Sequence, residues 1–101
     1  GHISFEHNTI PTTLDLYPAY PNPFNPITTL QFDIPYLENT EKVSLSIFDL
    51  MGREIDMLIN SYKPPGSYKF KWNATKHSSG VYFARLRLGP HVKTQKIILM
   101  K

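Results

Sequence analysis

The sequence predicts an all-β chain, folded as an immunoglobulin/fibronectin III-like antiparallel β-sandwich of about seven strands. Three observations carry that expectation. Apolar and polar residues alternate with a period of two in several short runs. Glycine and proline turn signals recur roughly every 8–15 residues. No stretch sustains a 3.6-residue period, and residues 53–62 are the one segment where a helix competes with a strand.

Five of the nine prolines, at positions 11, 18, 21, 23 and 26, fall within residues 1–26. Proline removes a backbone donor and fixes φ, so this lead-in is extended rather than helical. A polyproline-like segment has no backbone pairing of its own, and Tyr17, Tyr20 and Phe24 are expected to fold back as anchors. Gly1-His2 reads as a cloning remnant, residues 1–13 as a flexible linker and residues 14–101 as the folded domain.

From Leu30 the chain alternates: Leu30, Phe32 and Ile34 share one face, Gln31 and Asp33 the other, and Pro35 ends the strand. After the polar YLENTE loop, Val43, Leu45 and Ile47 alternate with Ser44, Ser46 and Phe48. Asp49-Leu50-Met51-Gly52 then reads as a tight connection, with Gly52 in the left-handed conformation that closes a three-residue hairpin loop. Arg53 to Ile59 should return antiparallel. In Lys63-Pro64-Pro65-Gly66, Pro65 and Gly66 as the second and third positions of a turn suit type II. Next comes the clearest amphipathic strand, Tyr68, Phe70 and Trp72 facing a core while Ser67, Lys69 and Lys71 face water. Trp72 is the expected central core aromatic. Gly80 opens a strand to Leu88, Gly89-Pro90 turns it, and Val92 to Met100 follows. The run KIILM is apolar on both faces, which suggests an inner strand or one that pairs with something further.

A 101-residue chain with 41% hydrophobic residues fits one domain. It has no cysteine, which removes disulfides, thiolate zinc sites and thiol catalysis together. No apolar stretch approaches the roughly 20 residues of a membrane-spanning helix. The net charge of +3 is too mild for a nucleic-acid binder. Its distribution is lopsided: residues 1–56 carry 2 − 8 = −6, and residues 57–101 carry nine Lys or Arg and no acid. Two readings fit, a surface for an anionic partner, or charges that pair across the sandwich as strands from the two halves interleave.

Catalytic chemistry finds little support. His2, His7, His77 and His91 are not at metal-ligand spacing. Asp33, Asp49, Glu54 and Asp56 flank turns or alternate outward rather than converging on a cleft. A nucleophile in His77-Ser78-Ser79-Gly80 lacks an orienting acid, since no carboxylate follows Asp56. The five glycines are scattered singly, so no phosphate-binding loop is present. The expectation is a non-enzyme with no metal and no cofactor. Tyr36, Tyr62 and Tyr82 leave a sugar-stacking platform open as an alternative, in a fibronectin-like spacer or carbohydrate-binding module; otherwise these rings simply fill the core.

Specific strings go further than periodicity. LYPAYPNPFNPITTLQFDIP (Leu16 to Pro35) resembles the opening of the type A C-terminal sorting domains of the type IX (Por) secretion system, with its YPNPFNP block and a strand ended by proline. VSLSIFDLMGREI (Val43 to Ile55) is similar to the family's strand, D-x-x-G-R turn and return strand, PPGSYKFKW to its tryptophan strand, and SSGVYFARL to its SG-x-Y strand. KIILMK is similar to its closing apolar run. Ala19 and Asn73-Ala74 depart from the usual asparagine and Asp-Gly. The resemblance implies a non-catalytic address domain, covalently part of a larger secreted or surface cargo of Bacteroidetes-type bacteria. Such a cargo passes through the periplasm, is recognised by the translocon, is cleaved by a sortase-like protease before Leu16, and can be attached to anionic lipopolysaccharide at the cell surface. The domain itself is expected to be a monomer. If the terminal strand is read by strand addition, Ile97, Ile98, Leu99, Met100 and Lys101 form the recognised surface, aided by Arg85, Arg87, Lys93 and Lys96. Pro23, Phe24, Pro26, Gly52, Arg53, Trp72, Gly80 and Tyr82 are assigned to structure.

Overall fold

A computed structural model of the chain describes residues 10–36 and 41–101. Part of the expected linker, residues 1–9, and part of the YLENTE loop, residues 37–40, lie outside the described residues. The strands are β1 (Asp15–Leu16), β2 (Ile27–Ile34), β3 (Lys42–Phe48), β4 (Glu54–Tyr62), β5 (Gly66–Asn73), β6 (Gly80–Leu88) and β7 (His91–Leu99). They form two antiparallel sheets, ordered β1-β2-β5 and β4-β3-β6-β7, stacked as a sandwich of the expected type.

Alternation places the core as the sequence predicts. Leu30, Phe32 and Ile34 from β2 face Val43, Leu45 and Ile47 from β3 and Leu86 and Leu88 from β6, all buried. Trp72, 2% exposed, lies among them with its ring 5.6 Å from Phe24 and 5.9 Å from Tyr82. Tyr68 and Phe70 are only half-buried, because β5 is an edge strand and its outer end is covered on one side.

The β3–β4 hairpin closes as expected. Asp49 N donates to Arg53 O (2.9 Å) around a three-residue loop, and Gly52 sits at φ +83°, where a side chain is strained. The return strand carries two irregularities, opposite Leu45/Ser46 and Ile47/Phe48. Each inserts an extra residue, so Ile55, Leu58 and Ile59 all contribute to the core. The Lys63–Gly66 link is not a type II turn. It carries the chain from one sheet to the other, and Gly66 takes φ +151° in place of the roughly +80° that turn requires.

The lead-in departs most from expectation. It is hydrogen-bonded to both sheets: β1 pairs with β2, Tyr20 bridges Thr29, and Phe24 bridges Leu99. Its buried side chains are Leu14, Leu16, Ala19 and Phe24, whereas Tyr17 and Tyr20 are exposed. Thr28, fully buried, donates its hydroxyl to Pro21 O at 2.7 Å, and Ala74 N donates to Pro26 O at 2.8 Å. The small Ala19 within the strap and Ala74 bonded to it are both buried.

Candidate functional site

The C-terminal strand β7 is an edge of the four-stranded sheet, not an inner strand. Its exposed backbone is nevertheless occupied at the apolar end. Phe24 N donates to Ile98 O and Met100 N to Phe24 O, both at 2.9 Å. The Asn22 side chain repeats the ladder, donating from Nδ2 to Lys96 O (3.0 Å) and accepting from Ile98 N (2.9 Å). Farther along, Gln95 donates its side-chain amide to Leu16 O (2.9 Å). The partner strand that KIILM asks for is therefore supplied from within the chain. Ile97 and Leu99 are buried, Ile98 is half-buried, and Met100 and Lys101 are exposed. Lys101 is tied back by its backbone N to Ser79 Oγ (2.9 Å) and by Nζ to Thr75 O (2.6 Å).

The outer face of the same sheet gathers three of the four other basic residues singled out from sequence. Cross-strand register places Glu54, Phe48, Phe83 and Lys96 in one row and Met57, Ser46, Arg85 and Thr94 in the next. A third row holds Ser44, Arg87 and Val92. Arg85 lies over the Phe48 ring at 4.2 Å, a cation–π contact that fixes a long side chain. Lys93 stands apart: it pairs with inward-facing Leu86, so it belongs to the opposite face of β7.

Between β4 of one sheet and β5 of the other, a polar cluster closes the core around Trp72. The indole Nε1 donates to Asp56 Oδ2 (2.9 Å), and His77 Nε2 lies 3.2 Å from the same oxygen. His77 packs 5.7 Å from the Trp72 ring and 6.1 Å from Tyr82, whose hydroxyl donates to Ser78 O. Partial burial pushes the Asp56 carboxyl up, but the hydrogen bonds from Trp72 and His77 and the nearby His77 and Lys76 charges outweigh it and hold it below its ordinary value. Asp49 is held low as well, first by the Arg53 backbone N–H, against an opposing desolvation, and then by the Arg53 side chain and the Met51 N–H.

This cluster corrects two expectations. Asp56 does not alternate outward; the bulges turn it inward, opposite Ile47. It also supplies the acid that His77 lacked in sequence. Among the described residues His77 hydrogen-bonds Asp56, and its ring packs against Trp72 and Tyr82. Tyr82 is 8% exposed, so it leaves the three-ring platform, and Tyr36 and Tyr62 stand alone at the ends of β2 and β4. Charge pairing across the sandwich is slight: the ion pairs among the described residues are Arg53–Asp49 and His77–Asp56. Among the described residues no three His, Asp or Glu gather into a metal-ligating group.

Of the residues assigned to structure, Phe24, Trp72 and Tyr82 are buried; Gly52 and Arg53 form the hairpin, Pro26 anchors the strap and Gly80 opens β6. Asn22 and Phe48 were not singled out from sequence. Asn22 takes its role from a fold-back across more than 70 residues of sequence, and local pattern carries no trace of such a contact.

Comparison with known proteins gives one finding. The family described as "Secretion system C-terminal sorting domain" matches residues 18–100. No curated protein and no solved structure matches the chain.

Proposed function

Because the chain belongs to the secretion-system C-terminal sorting domain family, we propose that it is a non-catalytic address that directs a larger cargo through the type IX system across the outer membrane to the surface or the medium. Sorting domains of this family generally act as signals rather than catalysts. The observation that carries the reading is the family match across both sheets and the strap, residues 18–100. The translocon is the proposed reader of the folded domain. The domain's readable features are half-buried Ile98 and exposed Met100 and Lys101 of the terminal run, together with Arg85, Arg87, Lys93 and Lys96, while Ile97 and Leu99 act by holding the strand in the core.

Removal by a sortase-like protease would fall before Leu14. Leu14 and Leu16 are buried and β1 is paired, so a protease needs the exposed backbone preceding them, and the domain is taken to run from residue 14. Transfer of the cleaved cargo to anionic lipopolysaccharide is the expected sequel.

The test is a reporter with a periplasmic leader fused ahead of residues 10–101 in a type IX-competent host, read by intact mass. Reporter found outside the cell, ending before Leu14, supports the reading. Full-length fusion held in the periplasm of the competent strain overturns it.

A further inference from the structure

We infer that the export machinery docks face-on against the outer surface of the four-stranded sheet, through an acidic protein surface that meets Phe48, Arg85, Arg87, Val92, Lys96 and Ile98. The inference rests on the sorting function above and deepens it by choosing the surface and the chemistry of its partner.

The edges argue first. Strand addition needs a free, regular edge. At the apolar end of β7 that edge is filled by Asn22 and Phe24. The opposite edge, β4, is broken by two bulges, a common way of making an edge unfit for pairing. Within the four-stranded sheet the face between them remains; the free edge of β5 belongs to the other sheet, whose Lys69 and Lys71 serve as the comparison below. Val92 is 41% exposed and Ile98 and Phe48 half-buried, so apolar surface is offered to solvent between the cations.

Charge then selects the partner. Arg85, Arg87 and Lys96 lie on this face, none forming an ion pair among the described residues, and Glu54 is the one acid in its described rows. Arg85 is held in place over Phe48, so little side-chain entropy is lost when it meets a carboxylate. Arginine and aromatic residues at the centre of an apolar patch are the composition of binding hot spots. Two copies of such a face repel, which disfavours self-association through it.

The experiment compares export of a reporter carrying residues 14–101 in three forms: unchanged, R85E/R87E/K96E, and K69E/K71E. Lys69 and Lys71 lie on the other sheet, so their reversal controls for placing acids elsewhere on the domain. Thermal unfolding shows whether each form is folded, and R87E/V92D, both positions exposed, replaces the triple variant if that does not fold. The expected result is at least a tenfold loss of export for the face variant and less than a twofold loss for the control. Unchanged export of a folded face variant, or equal losses in both, overturns the inference. Failure of the unchanged domain to export overturns the sorting reading itself and the inference with it. Cosedimentation of the unchanged domain with phosphatidylglycerol vesicles, lost in the face variant, would assign the face to anionic lipid and overturn the protein partner.

Discussion

Phe24→Ala tests whether the proline-rich lead-in is part of the cooperative fold. Phe24 is 2% exposed, packs 5.6 Å from Trp72 and sits where the strap joins β7. An aromatic side chain buries about 150–250 Å², which at about 25 cal/mol/Å² corresponds to about 4–6 kcal/mol, an upper estimate because unfolded chains already bury some surface. Measured large-to-small core truncations of Phe fall at about 3–5 kcal/mol, so we expect a loss near 3–4 kcal/mol. For a domain of this size each kcal/mol shifts Tm by about 4–8 °C, so the loss lowers Tm by at least about 12 °C. Urea unfolding followed by fluorescence reads this directly, since Trp72 is the single tryptophan and packs against the mutated ring. Tyr20→Ala, 81% exposed in the same strap, should change stability by less than about 0.5 kcal/mol. A Phe24→Ala loss below about 1 kcal/mol, or a separate early transition for the strap, would refute its integration into the core.

Further outcomes follow from the same contacts. Trp72→Ala should cost about 3–5 kcal/mol in chemical denaturation, since it empties the centre of the core. Gly52→Ala places a side chain at φ +83° and should cost about 1 kcal/mol, visible as a lower urea midpoint with unchanged slope. The carboxyls of Asp49 and Asp56 are held below their ordinary 3.8, so each contributes stability above that pH and loses it as pH falls through the lowered value. Tm should therefore decline on acidification below about pH 5, and the decline should be shallower in Asp56→Asn. Asn22→Ala removes two hydrogen bonds to β7, and amide exchange at Ile98 should accelerate relative to that at Tyr82.

Where alternation is regular, sequence and structure coincide: β2 and β3 carry their core faces as written, β6 runs from Gly80 to Leu88, and the Gly52 loop closes as its residues require. The ambiguity at residues 53–62 has a physical cause. Two bulges bring Ile55, Leu58 and Ile59 to one side, a spacing of three and one that imitates a helix, and the same bulges turn Asp56 inward. The lead-in folds back through Phe24 as expected, but its backbone pairing and the exposure of Tyr17 and Tyr20 escape the sequence, because proline density predicts conformation, not partners. Leu14, Leu16 and Phe24 meet residues of both sheets through contacts that no local window contains. The same long-range strap explains why KIILM reads as a strand seeking a partner, when its partner lies in the YPNPF segment. The family strings run from Leu16 to Lys101 in sequence order, and the family match covers residues 18–100.

The most direct test of the sorting role is the fraction of a periplasm-targeted reporter found outside the cell when residues 14–101 are appended. It is read against the bare reporter and against a strain lacking the translocon. Release is expected only when the domain and translocon are both present. Release that is equal without the translocon, or retention in the periplasm despite a folded domain, would contradict it.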